Sequence, residues 1–68
     1  MRDIFKNNVR RLRKKKGLKK LELAEKAGLH INSIAGVEAE GKSFTPETLQ
    51  KIAGALGVKP YVLIKESK

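Results

Sequence analysis

Sixty-eight residues with sixteen Lys and Arg against seven Asp and Glu, a net charge of +9 and no cysteine, make residues 1–68 one small domain, near the lower limit for folding on an apolar core alone. Lack of cysteine removes disulfides and thiolate metal sites, and the solitary His30 cannot assemble a metal cluster by itself, so no cofactor is expected. No apolar run approaches the ~20 residues that span a bilayer, and the amino terminus lacks the order of a secretory signal, so a soluble, cytoplasmic protein is expected.

Asp3 stands where it can cap a first helix over residues 3 to 16, in which Ile4, Phe5, Val9 and Leu12 recur with helical period and after which Gly17 marks an end. Its other faces carry Lys6, Arg10, Arg11, Arg13, Lys14, Lys15 and Lys16, the later ones favourably near the negative end of the helix dipole. A second helix follows from about Lys19 to Ala27, burying Leu23, Ala24 and Ala27. A third begins after His30 and runs to about Ala39, with Ile34 and Val37 inward; Gly36 weakens it by about 1 kcal/mol relative to alanine. Residues 40 to 43 form a loop. Thr45-Pro46-Glu47 then combines a capping hydroxyl, a first-turn proline and an acid at the positive dipole end, opening a fourth helix that buries Leu49, Ile52, Ala53 and Leu56 and stops at Gly57. Pro60 opens a short last helix to about Glu66, with Leu63 inward. Tyr61, Val62 and Ile64 exceed what one short helix buries on a single face; they either complete the monomer core or form a homodimer contact.

Ala24, Gly28, Ile34 and Val37 have the spacing that two short helices need to cross tightly around a glycine turn. Ala24 lacks the bulk to hold the second helix away, and Gly28 can adopt the positive φ that ends one helix and redirects the chain. Ile34 and Val37, three apart, pin the following helix by one face. The product is a helix-turn-helix, whose second helix is shaped for the DNA major groove. Charge agrees with that: eleven of the sixteen cations lie in residues 1 to 26 against three acids. Such a field attracts polyanions, although alone it does not choose between DNA, RNA and an anionic membrane, and a lysine-rich helix face is as often plain solvated surface. The inventory holds no constellation for catalysis, so no enzyme is expected.

The segments NVRRLRKKKGL (8 to 18), LELAEKAGL (21 to 29), SIAGVE (33 to 38) and TPETLQKIAGALGV (45 to 58) resemble the helix-turn-helix domains of phage repressors, Cro proteins and the bacterial XRE regulators. The resemblance covers almost the whole chain. It implies an all-α, compact five-helix bundle of lambda-repressor-like type with the helix-turn-helix in helices 2 and 3. It also implies no enzymatic activity, and binding to double-stranded DNA as a transcriptional regulator, commonly on a two-fold symmetric operator. Arg13 and Glu38 match a structural ion pair of the family. By the same alignment Ile31, Asn32, Ala35 and Gly36 form the base-reading face, with His30 and Ser33 at its edges. Arg10, Lys19, Lys20, Ser33 and Lys42 are the expected phosphate contacts.

Departures from the family pattern bear on affinity. Ser or Thr before helix 2 and Gln in its first turn are usual; Lys19 and Lys20 stand here, mobile point charges that neutralise phosphate but fix register less well than an amide. Leu21 occupies a usually polar position, as extra core or as an exposed apolar contact. Helix 3 has no arginine, the commonest guanine reader. Asn32 can pair with an adenine edge, and Ile31 or Ala35 can pack on a thymine methyl. An A/T-leaning preference with salt-sensitive affinity follows. The competing expectation is an interaction module on the same scaffold, antitoxin-like or a complex subunit, with weak or non-specific DNA binding. No membrane or small-molecule partner is indicated. His30 is expected to cap helix 3 or lie on the surface.

Overall fold

The computed structural model describes residues 2–41 and 45–66, and its elements are α1 (Arg2–Lys15), α2 (Lys20–Ala27), α3 (Ile31–Glu40) and α4 (Pro46–Leu56), followed by a 3₁₀ turn at Pro60–Leu63. No strand occurs among the described residues.

One core joins all five elements: Phe5, Val9 and Leu12 from α1, Leu23, Ala24 and Ala27 from α2, Ile34 and Val37 from α3, Ile52, Ala53 and Leu56 from α4, and Leu63 from the turn. Leu18, Leu29, Leu49, Ala55, Val58 and Val62 pack around it half-buried. Gly28 takes φ 69° after α2, where an L side chain would clash with its own backbone. That turn lets the Leu29 N–H donate back to the Ala24 carbonyl at 2.9 Å while Gly28 donates to Glu25 at 3.2 Å, closing the end of α2 in a Schellman-type cap. Thr45 Oγ1 accepts from the Thr48 N–H at 3.2 Å, with Pro46 in the first turn of α4.

Several boundaries differ from the sequence reading. Helix α1 begins at Arg2, so Asp3 lies inside its first turn and approaches Lys6 at 3.7 Å instead of capping. Helix α3 runs through Glu40 to Gly41 at φ 68°, whose N–H reaches the Gly36 and Val37 carbonyls; the loop therefore starts one residue later than expected.

The larger correction concerns the fifth helix. Only a four-residue 3₁₀ turn forms at Pro60–Leu63, carried by Val62 N–H to the Lys59 carbonyl at 3.0 Å and Ile64 N–H to Tyr61 at 3.2 Å. The cause is Asn8, buried on α1, whose Nδ2 donates to the carbonyls of Leu63 at 3.0 Å, Lys65 at 2.7 Å and, more distantly, Val62 at 3.3 Å. An α-helix continuing past Leu63 would need the Val62 and Leu63 carbonyls for its own ladder. The β-branched Val62 and Ile64 add little helix propensity in compensation.

Candidate nucleic-acid interface

The local sequence of α2 presents two ammonium groups at its positive end. Lys19 is the residue before the helix, extended at φ −82° and ψ 161°, and its backbone N–H is taken by Glu22 Oε1 at 2.7 Å. A lysine has no acceptor with which to return a cap to the first-turn amides. Lys19 and Lys20 are both exposed. Leu21 is exposed too, by 51 %, which settles the choice between core and surface in favour of surface.

Helix α3 is started by a histidine. His30 Nδ1 accepts from the Asn32 N–H at 3.0 Å, filling the role that a serine or aspartate hydroxyl or carboxylate usually plays. The adjacent Ser33 N–H donates to the His30 carbonyl at 2.9 Å. Ile34, Val37 and Glu38 turn inward. On the other faces Ile31 and Asn32 are exposed, while Ser33, Ala35 and Gly36 are half-buried. The outer side of α3 is thus open at its first turn and lined by small groups one turn later. Ile31, a large apolar side chain, keeps 37 % of its surface accessible.

Behind that face, α3 is bolted to α1. Arg13 meets Glu38 in a two-pronged pair, Nε to Oε2 at 2.6 Å and Nη2 to Oε1 at 3.0 Å, while Nη1 donates to the Leu18 carbonyl at 2.8 Å. The guanidinium therefore ties α1, the turn before α2 and α3 together. Arg10, expected at a phosphate, also turns to α3: its Nη2 donates to the Glu38 carbonyl and its Nε lies 4.0 Å from Oε1. Its side chain remains 44 % accessible, but its hydrogen bond belongs to the fold.

Lys42 lies outside the described residues. Of the residues expected in a dimer contact, Tyr61 is 58 % exposed with Lys65 Nζ 5.8 Å from its ring centre, Val62 packs half-buried on the core and Ile64 is half-buried. The three therefore divide, Val62 serving the monomer and Tyr61 the surface. Asn8 was missed as a key residue, although its place among Phe5, Val9 and Leu12 on the inward stripe of α1 marks an amide that must find buried partners. No helix is long and apolar enough to cross a membrane among the described residues.

A short helix closed by a glycine turn, a second helix open on its outer side and cations at the start of the first define a helix-turn-helix DNA-binding domain. Residues 9–63 match the helix-turn-helix family profile, and the chain belongs to that family, of the XRE type. It is 33 % identical over 58 residues to the immunity repressor protein of Bacillus phage phi105, an alignment covering 85 % of this chain and 40 % of that protein; the chain thus matches less than half of that relative's length. Its fold is similar to the hypothetical transcription factor NHTF from Neisseria, with TM-score 0.92 and 32 % identity over 97 % of this chain and 76 % of that one. It is also similar to a mutant of the restriction-modification controller protein C.Esp1396I, with TM-score 0.81 and 27 % identity over 88 % of this chain and 78 % of the other.

Proposed function

We propose that this protein is a transcriptional regulator of repressor type that binds double-stranded DNA sequence-specifically, laying α3 in the major groove. The observation that carries this reading is the open first turn of α3, Ile31 and Asn32 exposed, on a helix held rigid from behind by the Arg13–Glu38 pair. Asn32 pairs with an adenine edge, Ile31, Ala35 and Gly36 set the apolar part of the contact, and Lys19, Lys20, Ser33 and Lys42 hold phosphates. Arg10 supports the end of α3 and adds at most a secondary phosphate contact. A homodimer formed through Tyr61 and Ile64 places two copies of α3 about 34 Å apart, matching successive major grooves of a dyad-symmetric site. The helix-turn-helix class is not an enzyme class, and no catalytic step is part of this function.

A duplex titration over a salt series tests the reading. Lys20→Ala should weaken binding and reduce the slope of log affinity against log salt by about 0.9 for each bound copy, hence about 1.8 for the dimer. Absence of duplex binding even at low salt would overturn it.

A further inference from the structure

The reading face of α3 has an unusual chemical balance. Ile31 and Ala35 stand one turn apart on one side of the helix, with Asn32 and Gly36 beside them, and no Arg, Lys or Gln occurs anywhere from Ile31 to Glu40. Asn32 supplies an amide at the exposed first turn. The exposed part of Ile31 gains by meeting another apolar group. Within the major groove of a duplex the apolar feature offered by a base edge is the methyl group on C5 of a pyrimidine. The net charge of +9 and the exposed Lys19 and Lys20 make a duplex the partner of matching charge.

We infer that Ile31, with Ala35 behind it, reads the C5-methyl group itself and not the identity of the base that bears it, so that 5-methylcytosine is recognised at positions where thymine is. The inference rests on the DNA-binding reading above. Its physical basis is that an isoleucine side chain has no donor or acceptor with which to distinguish O4 of thymine from N4 of cytosine, whereas it gains contact area from the methyl in either case. Asn32 acts one residue along the helix, and its amide discriminates adenine through N6 and N7. The face therefore carries two separable signals, a methyl and an adenine edge.

The test uses the duplex selected by the intact protein from a random pool. Each thymine of a half-site is replaced in turn by uracil, which removes the methyl and nothing else. At one or two positions affinity should fall about threefold to fivefold, the worth of one buried methyl. At the most sensitive position, C·G and 5-methyl-C·G duplexes are then compared, and the methylated one should bind more tightly by a similar factor. Ile31→Ala should abolish both differences while Asn32→Ala preserves them; thermal unfolding of both variants checks that each is folded. Uracil binding as well as thymine throughout, or a methyl on cytosine that adds nothing at the sensitive position, overturns the inference. If the wild-type protein selects no duplex at all, the DNA-binding reading itself fails, which is a distinguishable result.

Discussion

The Glu38 carboxylate is held by the Arg13 guanidinium through two bonds of 2.6 and 3.0 Å, with 2 % and 11 % of the respective side chains accessible. This is a buried ion pair whose oxygen and nitrogen atoms are also satisfied by the fold, since no buried side-chain polar atom lacks a partner among the described residues. Glu38→Ala strands a buried guanidinium and should cost about 3–5 kcal/mol of stability. Urea unfolding measures it. A loss below about 1 kcal/mol would mean that Arg13 swings out to water and that the pair does not secure α3.

Asn8 is the second polar anchor. Replacing it by leucine leaves the Val62, Leu63 and Lys65 carbonyls without the amide they share, and should destabilise the protein by about 1–3 kcal/mol. Hydrogen exchange gives the sharper readout: protection should fall first at the Val62 and Ile64 amides of the 3₁₀ turn, ahead of α2 and α3. Uniform loss across the chain would refute a local anchoring role.

Gly28 is constrained by conformation, not by crowding. A Cβ built there meets nothing within 4 Å, yet φ is +69°. Gly28→Ala should therefore cost about 1–2 kcal/mol and Gly28→Asn less, because asparagine tolerates the left-handed region better. Equal melting temperatures for the alanine and asparagine variants would contradict this ranking.

Lys19 and Lys20 divide affinity from stability. Both are exposed, and neither side chain caps α2. Lys19→Ala with Lys20→Ala should leave unfolding within about 0.5 kcal/mol while lowering the salt slope of duplex binding by about 1.8 for each bound copy, hence about 3.6 for the dimer. A double variant whose slope is unchanged would remove these lysines from the interface.

Tyr61 tests the proposed dimer. It is 58 % exposed, so Tyr61→Glu should not unfold the monomer, yet it should weaken self-association by about tenfold or more if the ring lies at the centre of the contact. Sedimentation equilibrium across a concentration series measures this, and an unaltered molar mass distribution would exclude Tyr61 from the contact.

The helices and the turn between α2 and α3 were legible in the residues because their causes are local. Apolar spacing places Phe5, Val9 and Leu12, a hydroxyl and a proline start α4, and glycine takes the φ required at position 28 without strain. The openness of α3 follows from the same periodicity, since Ile34 and Val37 occupy its inward stripe. Even the acceptor at His30 was visible as a candidate cap.

What the chain order could not disclose depends on groups far apart in sequence. Sequence alone makes Arg10 a phosphate contact, whereas folding brings its guanidinium to the Glu38 carbonyl, 28 residues away. Asn8 halts the last helix by taking carbonyls 54 to 57 residues on, and no local propensity encodes that competition. Periodicity and caps thus determined where helices form and which face each one hides. Tertiary packing alone decided which polar groups are spent on holding those helices together and which stay exposed for a partner, because a hydrogen bond across the core exists only once both ends have arrived.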